Sequence, residues 1–203
     1  MSLLLESILY ERGKMPLLDR HIQRMNRSRE IMLKCSNPLI FPHRLSPPEN
    51  LQSEKLKLRI LYDCQITSLS WIPYQKAKPK KILVVESPKI NYSLKYADRT
   101  PIDQLKSLYA DYDDLILMHN EVITDATYSN ILLKIGGSWY TPSNPLLNGI
   151  RRQFLIQRGL IQPAYLRKED LALATAIKLI NAMMPMNDCI DLAPDQLVFN
   201  KKL

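Results

Sequence analysis

A lysine at position 95, a carboxylate thirty residues later at Asp125, and a glycine-led turn at Asn148-Gly149 running into Ile150-Arg-Arg-Gln-Phe154 are an odd set for a purely structural segment. A deprotonated lysine attacks an aldehyde, and burial near cationic neighbours lowers its pKa enough for that. Backbone N–H groups at a helix start are ready donors for a phosphate, and Gly149 permits close approach. The set suits an aldehyde that also carries a ring nitrogen and a phosphate. Plainer readings exist for each part. Most lysines in any chain are exposed, and Thr124-Asp125 could simply cap a turn.

Several elements must position these groups. Residues 3–9 read as a short apolar strand carrying Glu6 and Ser7, and Glu11-Arg-Gly-Lys14 as a hairpin-like turn. A helix follows, with Asp19 as candidate N-cap. Ile22, Met25, Ile31 and Met32 mark its apolar side, and Arg20, Arg24, Arg27 and Arg29 its basic one. Residues 36–54, rich in Pro, Ser and Asn, read as a loop. Leu56 to Tyr62 alternates apolar and polar groups and is a half-buried strand, with Ser68 to Pro73 as partner and residues 81–86 as a further strand. Residues 177–186 read as a strand ending at a loop, and 187–203 as a final strand or hairpin. A small α/β domain over 1–88 and a second domain over 89–203 are expected.

Bulk properties narrow the class. At 203 residues with 46% hydrophobic content, the chain can build real cores. No run approaches membrane-spanning length, and MSLLLES lacks a signal peptide's basic region, so a soluble cytoplasmic protein is expected. Three scattered cysteines argue against a disulfide framework. Residues 1–90 hold 16 Lys+Arg against 8 Asp+Glu, and residues 91–203 hold 12 against 12, so the +8 excess lies in the first part. The basic run Lys76, Lys78, Lys80, Lys81 is broken by Pro79 and lacks aromatic interleaving, so no nucleic-acid partner is expected. Attraction of an anionic cofactor and a carboxylate substrate explains the sign equally well. No metal site is expected.

The order of motifs resembles the fold-type IV enzymes that use pyridoxal 5'-phosphate, among them branched-chain and D-amino acid aminotransferases and 4-amino-4-deoxychorismate lyase. The matching pieces are His21-Ile-Gln-Arg24-Met25, Lys95-Tyr-Ala-Asp-Arg99, Thr124-Asp125 with Asn130, Trp139-Tyr-Thr-Pro142, and Leu147-Asn-Gly-Ile-Arg-Arg152. The likeness spans residues 4–186 and is weakest from 36 to 90. It implies an α+β, two-domain, D-amino acid aminotransferase-like fold with a shortened N-terminal domain, and a homodimer. It implies Lys95 as the Schiff-base lysine and proton carrier. Arg24 is the implied phosphate ligand, suited by its paired, always-charged donors. Asp125 stands where the family has glutamate, about 1.5 Å shorter, and would hold the ring nitrogen. The amides of Ile150 and Arg151 beside Gly149 would contact the phosphate, with Arg152 buttressing the turn. Asn181-Ala-Met-Met-Pro185 resembles an element of the lyases, which makes Asn181 the expected substrate contact. The implied function is 4-amino-4-deoxychorismate lyase, giving 4-aminobenzoate and pyruvate. The alternatives are an aminotransferase for branched-chain or D-amino acids and a non-catalytic cofactor-binding protein.

Overall fold

A computed structural model of the chain describes residues 3–42, 45–51 and 54–200. They form two compact units that interleave along the chain, one of residues 1–75 with 94–98 and one of 76–93 with 99–203.

The first unit is a three-stranded antiparallel sheet with one helix. Its elements are β1 (Leu4–Glu11), α1 (Leu18–Leu33), β2 (Lys55–Tyr62) and β3 (Ile66–Pro73), in sheet order β1-β2-β3. The expected alternation in β2 is present: Leu56, Leu58, Ile60 and Tyr62 are buried, while Lys55, Lys57 and Arg59 are half-buried. Leu4, Ile8, Leu58, Ile60 and Tyr62 pack with Met25 and Leu39 as the core. Each such side chain contributes roughly 1.5–3 kcal/mol by leaving water. The segment 94–98 joins this unit through an antiparallel bridge between Leu4 and Tyr96.

Helix α1 departs from expectation in two respects. Its N-cap is Leu17, in left-handed torsions and without a side-chain cap, while Asp19 sits in the first turn, where its charge favours the helix dipole. Its buried face is His21, Met25, Ser28 and Arg29, whereas Ile31 is exposed. His21 and Arg29 are buried there with partners for His21 Nδ1 and for both Nη atoms of Arg29. Arg29, read from sequence as surface charge, donates to the carbonyls of Asn37 (2.9 Å) and Cys64 (2.6 Å). Cys35 and Cys64 are joined by a disulfide and Cys189 is a buried free thiol. This is a single bridge, one more than the scattered cysteines suggested.

The second unit holds two sheets. Strands β4 (Ile82–Glu86), β5 (Asp114–His119) and β6 (Val122–Ala126) follow one another in the first sheet, with helix α2 (Thr100–Leu108) between β4 and β5. Strand β4 pairs with β5 in parallel, so it belongs to this unit rather than beside the strands before it. The second sheet contains β7 (Asn130–Ile135), β8 (Ser138–Pro142), β9 (Gln162–Ala164), β10 (Ala176–Ile180) and β11 (Ile190–Leu192), in order β11-β10-β7-β8-β9. Helices α3 (Ile150–Gln157) and α4 (Asp170–Leu173) fall between these strands, and β12 (Leu197–Phe199) returns to pair with β4 in parallel. Ile82, Ile116, Ile123, Ile131, Leu133 and Leu179 belong to one buried core shared by the two sheets.

Candidate functional site

In the first unit, Arg24 and Lys95 are both referred to β1. The Leu5 amide donates to the Lys95 carbonyl at 2.9 Å. The next residue, Glu6, is fully buried beneath α1. Its two carboxylate oxygens accept Nε and Nη2 of Arg24 at 2.6 Å each, and Oε2 lies 2.7 Å from Nδ1 of His21. His21 and Arg24 are three apart on α1 and therefore share a face. Burial alone would raise the Glu6 carboxyl, but Arg24 and His21 outweigh it and hold it down at about 2. The paired geometry fixes the plane of the guanidinium. The side chain of Lys95 is half-buried.

The second unit builds the carboxylate side. Strands β5 and β6 are joined by Asn120 and Glu121, both in left-handed torsions, the geometry a two-residue hairpin requires. The Glu86 carboxylate accepts both of their amides and so stabilises the turn. Strand β6 then carries Asp125 inward, 4% exposed. Its Oδ1 accepts Asn130 Nδ2 at 2.6 Å and its Oδ2 accepts the Leu147 amide at 2.9 Å. Burial pushes this carboxyl up to about 7, although both hydrogen bonds and the charge of Arg152 pull it down. The loop after β6 is held by Arg99, whose Nη2 donates to the Thr127 carbonyl at 2.8 Å while its guanidinium stacks on Tyr128.

Helix α3 begins beside this carboxylate. Gly149 is its N-cap and brings no side chain to cap the helix start, so the first amides are suited as donors to an anion. Arg152 buttresses the turn through Asn148 Oδ1 (2.8 Å), the Pro142 carbonyl (2.7 Å) and Thr141 Oγ1 (3.3 Å). Arg151 is buried, with Nη2 3.5 Å from the Ala182 carbonyl. Asn181 uses Oδ1 to accept the Met183 amide at 2.9 Å, and its Nδ2 lies 3.4 Å from the Tyr128 carbonyl and Ser129 Oγ.

The second unit thus brings Asp125, Gly149, Ile150, Arg151 and Asn181 into one neighbourhood, and the first unit gathers Arg24 and Lys95 about β1. Sequence reasoning passed over Glu6, whose only signal was a charge inside an apolar strand, and His21, which entered only as a motif letter. A further cavity of about 310 Å³, lined in part by Ser87, Ile90, His119, Val122, Thr124 and Leu146, contains none of the expected residues. Thr124 and Asp125 are successive in β6 and point to opposite sides.

The mixed sheets are those of the expected D-amino acid aminotransferase-like, type IV fold. The chain belongs to the amino-transferase class IV family, which matches residues 3–189. It is 33% identical over 182 residues to an uncharacterized protein of Haemophilus influenzae, covering 89% of this chain and 97% of that one. A solved structure named "putative 4-amino-4-deoxychorismate lyase" from Haemophilus somnus aligns with TM-score 0.74 and 26% identity, over 90% of this chain and 97% of its own. The fold is also that of a "hypothetical aminotransferase" of Mycobacterium tuberculosis in its PLP-bound form, with TM-score 0.71 and 14% identity over 94% and 80% of the two chains. No helix among the described residues is long and apolar enough to cross a membrane.

Proposed function

We propose that this chain is a pyridoxal-phosphate enzyme that acts as a 4-amino-4-deoxychorismate lyase. The observation that carries the cofactor is Asp125, a buried carboxylate raised to about 7 beside an uncapped helix start. A protonated ring nitrogen is the cation such a carboxylate suits, and a phosphate is the anion such a helix start suits. The residues present therefore fit the group. When bound, pyridoxal phosphate supplies an electrophilic carbon and an electron sink.

The chain's own residues divide the remaining work. The amides of Ile150 and Arg151 beside Gly149 would hold the phosphate, and by the family resemblance Arg24, its fork preset by Glu6, would be a phosphate ligand. Asp125 holds a proton at the ring nitrogen. Lys95 would hold the group and would be the base that takes the ring proton of the substrate. The enolpyruvyl group then leaves and gains a proton as pyruvate, and the ring is left aromatic as 4-aminobenzoate. Asn181 would meet a substrate carboxylate through Nδ2, whose present contacts are long. The Asn181-Ala182 element and the likeness to the Haemophilus somnus structure favour this reading over an aminotransferase of branched-chain or D-amino acids. A homodimer working in the cytoplasm belongs to the same proposal and rests on the family resemblance.

The test supplies 4-amino-4-deoxychorismate without any keto acid and follows 4-aminobenzoate and pyruvate together. Leucine and D-alanine are offered in parallel as donors to 2-oxoglutarate. Equal amounts of both products with no keto-acid requirement are expected, from a protein whose borohydride-reducible absorbance band disappears in Lys95→Ala. Transamination without cleavage would transfer the assignment to the aminotransferases. A loaded protein with neither activity would leave a cofactor-binding role.

A further inference from the structure

We propose that Asn130 is a positioning residue that ties the Asp125 carboxylate and the turn at Leu147–Gly149 into one rigid piece, so that a single side chain registers the two ends of the site. The proposal rests on the reading of Asp125 and the α3 start given above, and its geometry lies wholly within the second unit.

Asn130 opens β7 and is 5% exposed. Its Nδ2 donates to Asp125 Oδ1 at 2.6 Å and to the Leu147 carbonyl at 2.9 Å. Both neighbours of that atom are acceptors, so the amide has only one sensible orientation. The Leu147 amide in turn donates to Asp125 Oδ2 at 2.9 Å. Three hydrogen bonds therefore close a ring through Asp125, Asn130 and Leu147. A carboxylate accepts about four bonds in all, which leaves room for a ring N–H on Asp125.

The other end of the same amide sets the start of α3. With Nδ2 turned to its two acceptors, Oδ1 faces Gly149, where a Cβ would stand 2.2 Å from Oδ1 and 3.3 Å from Cγ. Gly149 has φ −65 and ψ 146, torsions open to any residue. Glycine is needed there for space, and the occupant of that space is Asn130. No other side chain of this length supplies two N–H donors from one atom. Serine has a single donor, and aspartate would place a second carboxylate against Asp125.

The experiment begins with apoprotein, using wild type, Asn130→Ala, Asn130→Ser, Gly149→Ala and the double variant Asn130→Ala with Gly149→Ala. Titration of the Asp125 carboxyl by carbon NMR should move upward by about one pH unit in Asn130→Ala, with a smaller shift in Asn130→Ser. Gly149→Ala should lower the unfolding midpoint in the wild-type background and do so far less in the Asn130→Ala background, because the colliding oxygen is gone. Pyridoxal phosphate should bind Asn130→Ala about tenfold more weakly or worse, and the double variant should bind no more weakly than Asn130→Ala. An unmoved Asp125 titration, or additive losses in the double variant, would overturn the proposal. Should Asn130→Ala not fold, the Asn130→Ser titration decides on the same terms. If wild type bound no pyridoxal phosphate while the titration shift and the Gly149 coupling held, the proposed function would fail and the tie would stand. If wild type bound it and Asn130→Ala bound it equally well, the tie would fail alone.

Discussion

Apoprotein stability should fall as pH rises because of Asp125, and Asp125→Asn should remove that fall. Burial is the leading cause of the raised pKa, taking it from an ordinary 3.8 to about 7. The folded chain then holds the proton more tightly than the unfolded chain does. The resulting stabilisation is complete below pH 3.8 and is lost progressively as pH rises to about 7. A rise of that size corresponds to an effect on the order of 4 kcal/mol. Asp125→Asn cannot titrate, so this slope vanishes. Its amide can accept only one of the two donors that Leu147 and Asn130 present, which costs roughly 1–3 kcal/mol at every pH. The assay is urea unfolding of both apoproteins from about pH 4 to about pH 8, reading the wild-type-minus-variant difference. Other titrating groups, Glu6 included, cancel in that difference. Wild type should hold its largest advantage in acid and lose several kcal/mol of it by neutrality. A difference constant with pH would mean that Asp125 is ionised throughout, and the burial argument would be refuted.

Glu6 should act with the opposite sign. Its carboxyl is held down at about 2 from 4.5, so its contribution is present above pH 4.5 and lost as pH falls toward 2. Acid unfolding of wild type against Glu6→Gln should show that loss, on the order of 3 kcal/mol, only in wild type. Arg24→Ala should weaken retention of pyridoxal phosphate by at least tenfold, through loss of charge-assisted bonds of roughly 1.5–3 kcal/mol. The exposed Arg27 provides the control, since Arg27→Ala should leave retention unchanged in the same equilibrium dialysis. Equal losses from the two would assign the effect to general basicity.

What could be read from sequence followed from how locally each feature is determined. The alternation from Leu56 to Tyr62 is a local property of one half-buried strand, and β2 occupies that place. The motif order carried the family, because Lys95, Asp125 and the Gly149 turn are each short and nearly contiguous. Pairing was harder to see. Strand β4 has four consecutive buried residues, Ile82 to Val85, and such a run does not say which neighbour it will join. The face of α1 was misjudged for a related reason. His21 and Arg29 look like surface residues until Glu6 and the carbonyls of Asn37 and Cys64 stand opposite them. Gly149 was read as permitting close approach of an anion, and the atom nearest its missing Cβ in the fold is Asn130 Oδ1, a contact between positions that no periodicity links.

The interleaving of the two units bears on how the protein can be cut, joined or made. The chain leaves the first unit after residue 75, returns for residues 94–98 and leaves again. A fragment ending near residue 88 would carry the four strands β1 to β4 and helix α1 but lack the partner that Tyr96 gives Leu4 and the carbonyl that Lys95 gives the Leu5 amide. On the ribosome, the amino-terminal strand must therefore wait for residues 94–98, and so for all of β4, before the Leu4–Leu5 end of its edge is covered. An exposed strand edge is a template for aggregation, which makes that interval the vulnerable stage of synthesis. It also makes Lys95 a late closing piece of the unit made first. A chain arrested before residue 94 can neither pair the Leu4 end of β1 nor acquire the amine on which the proposed chemistry depends.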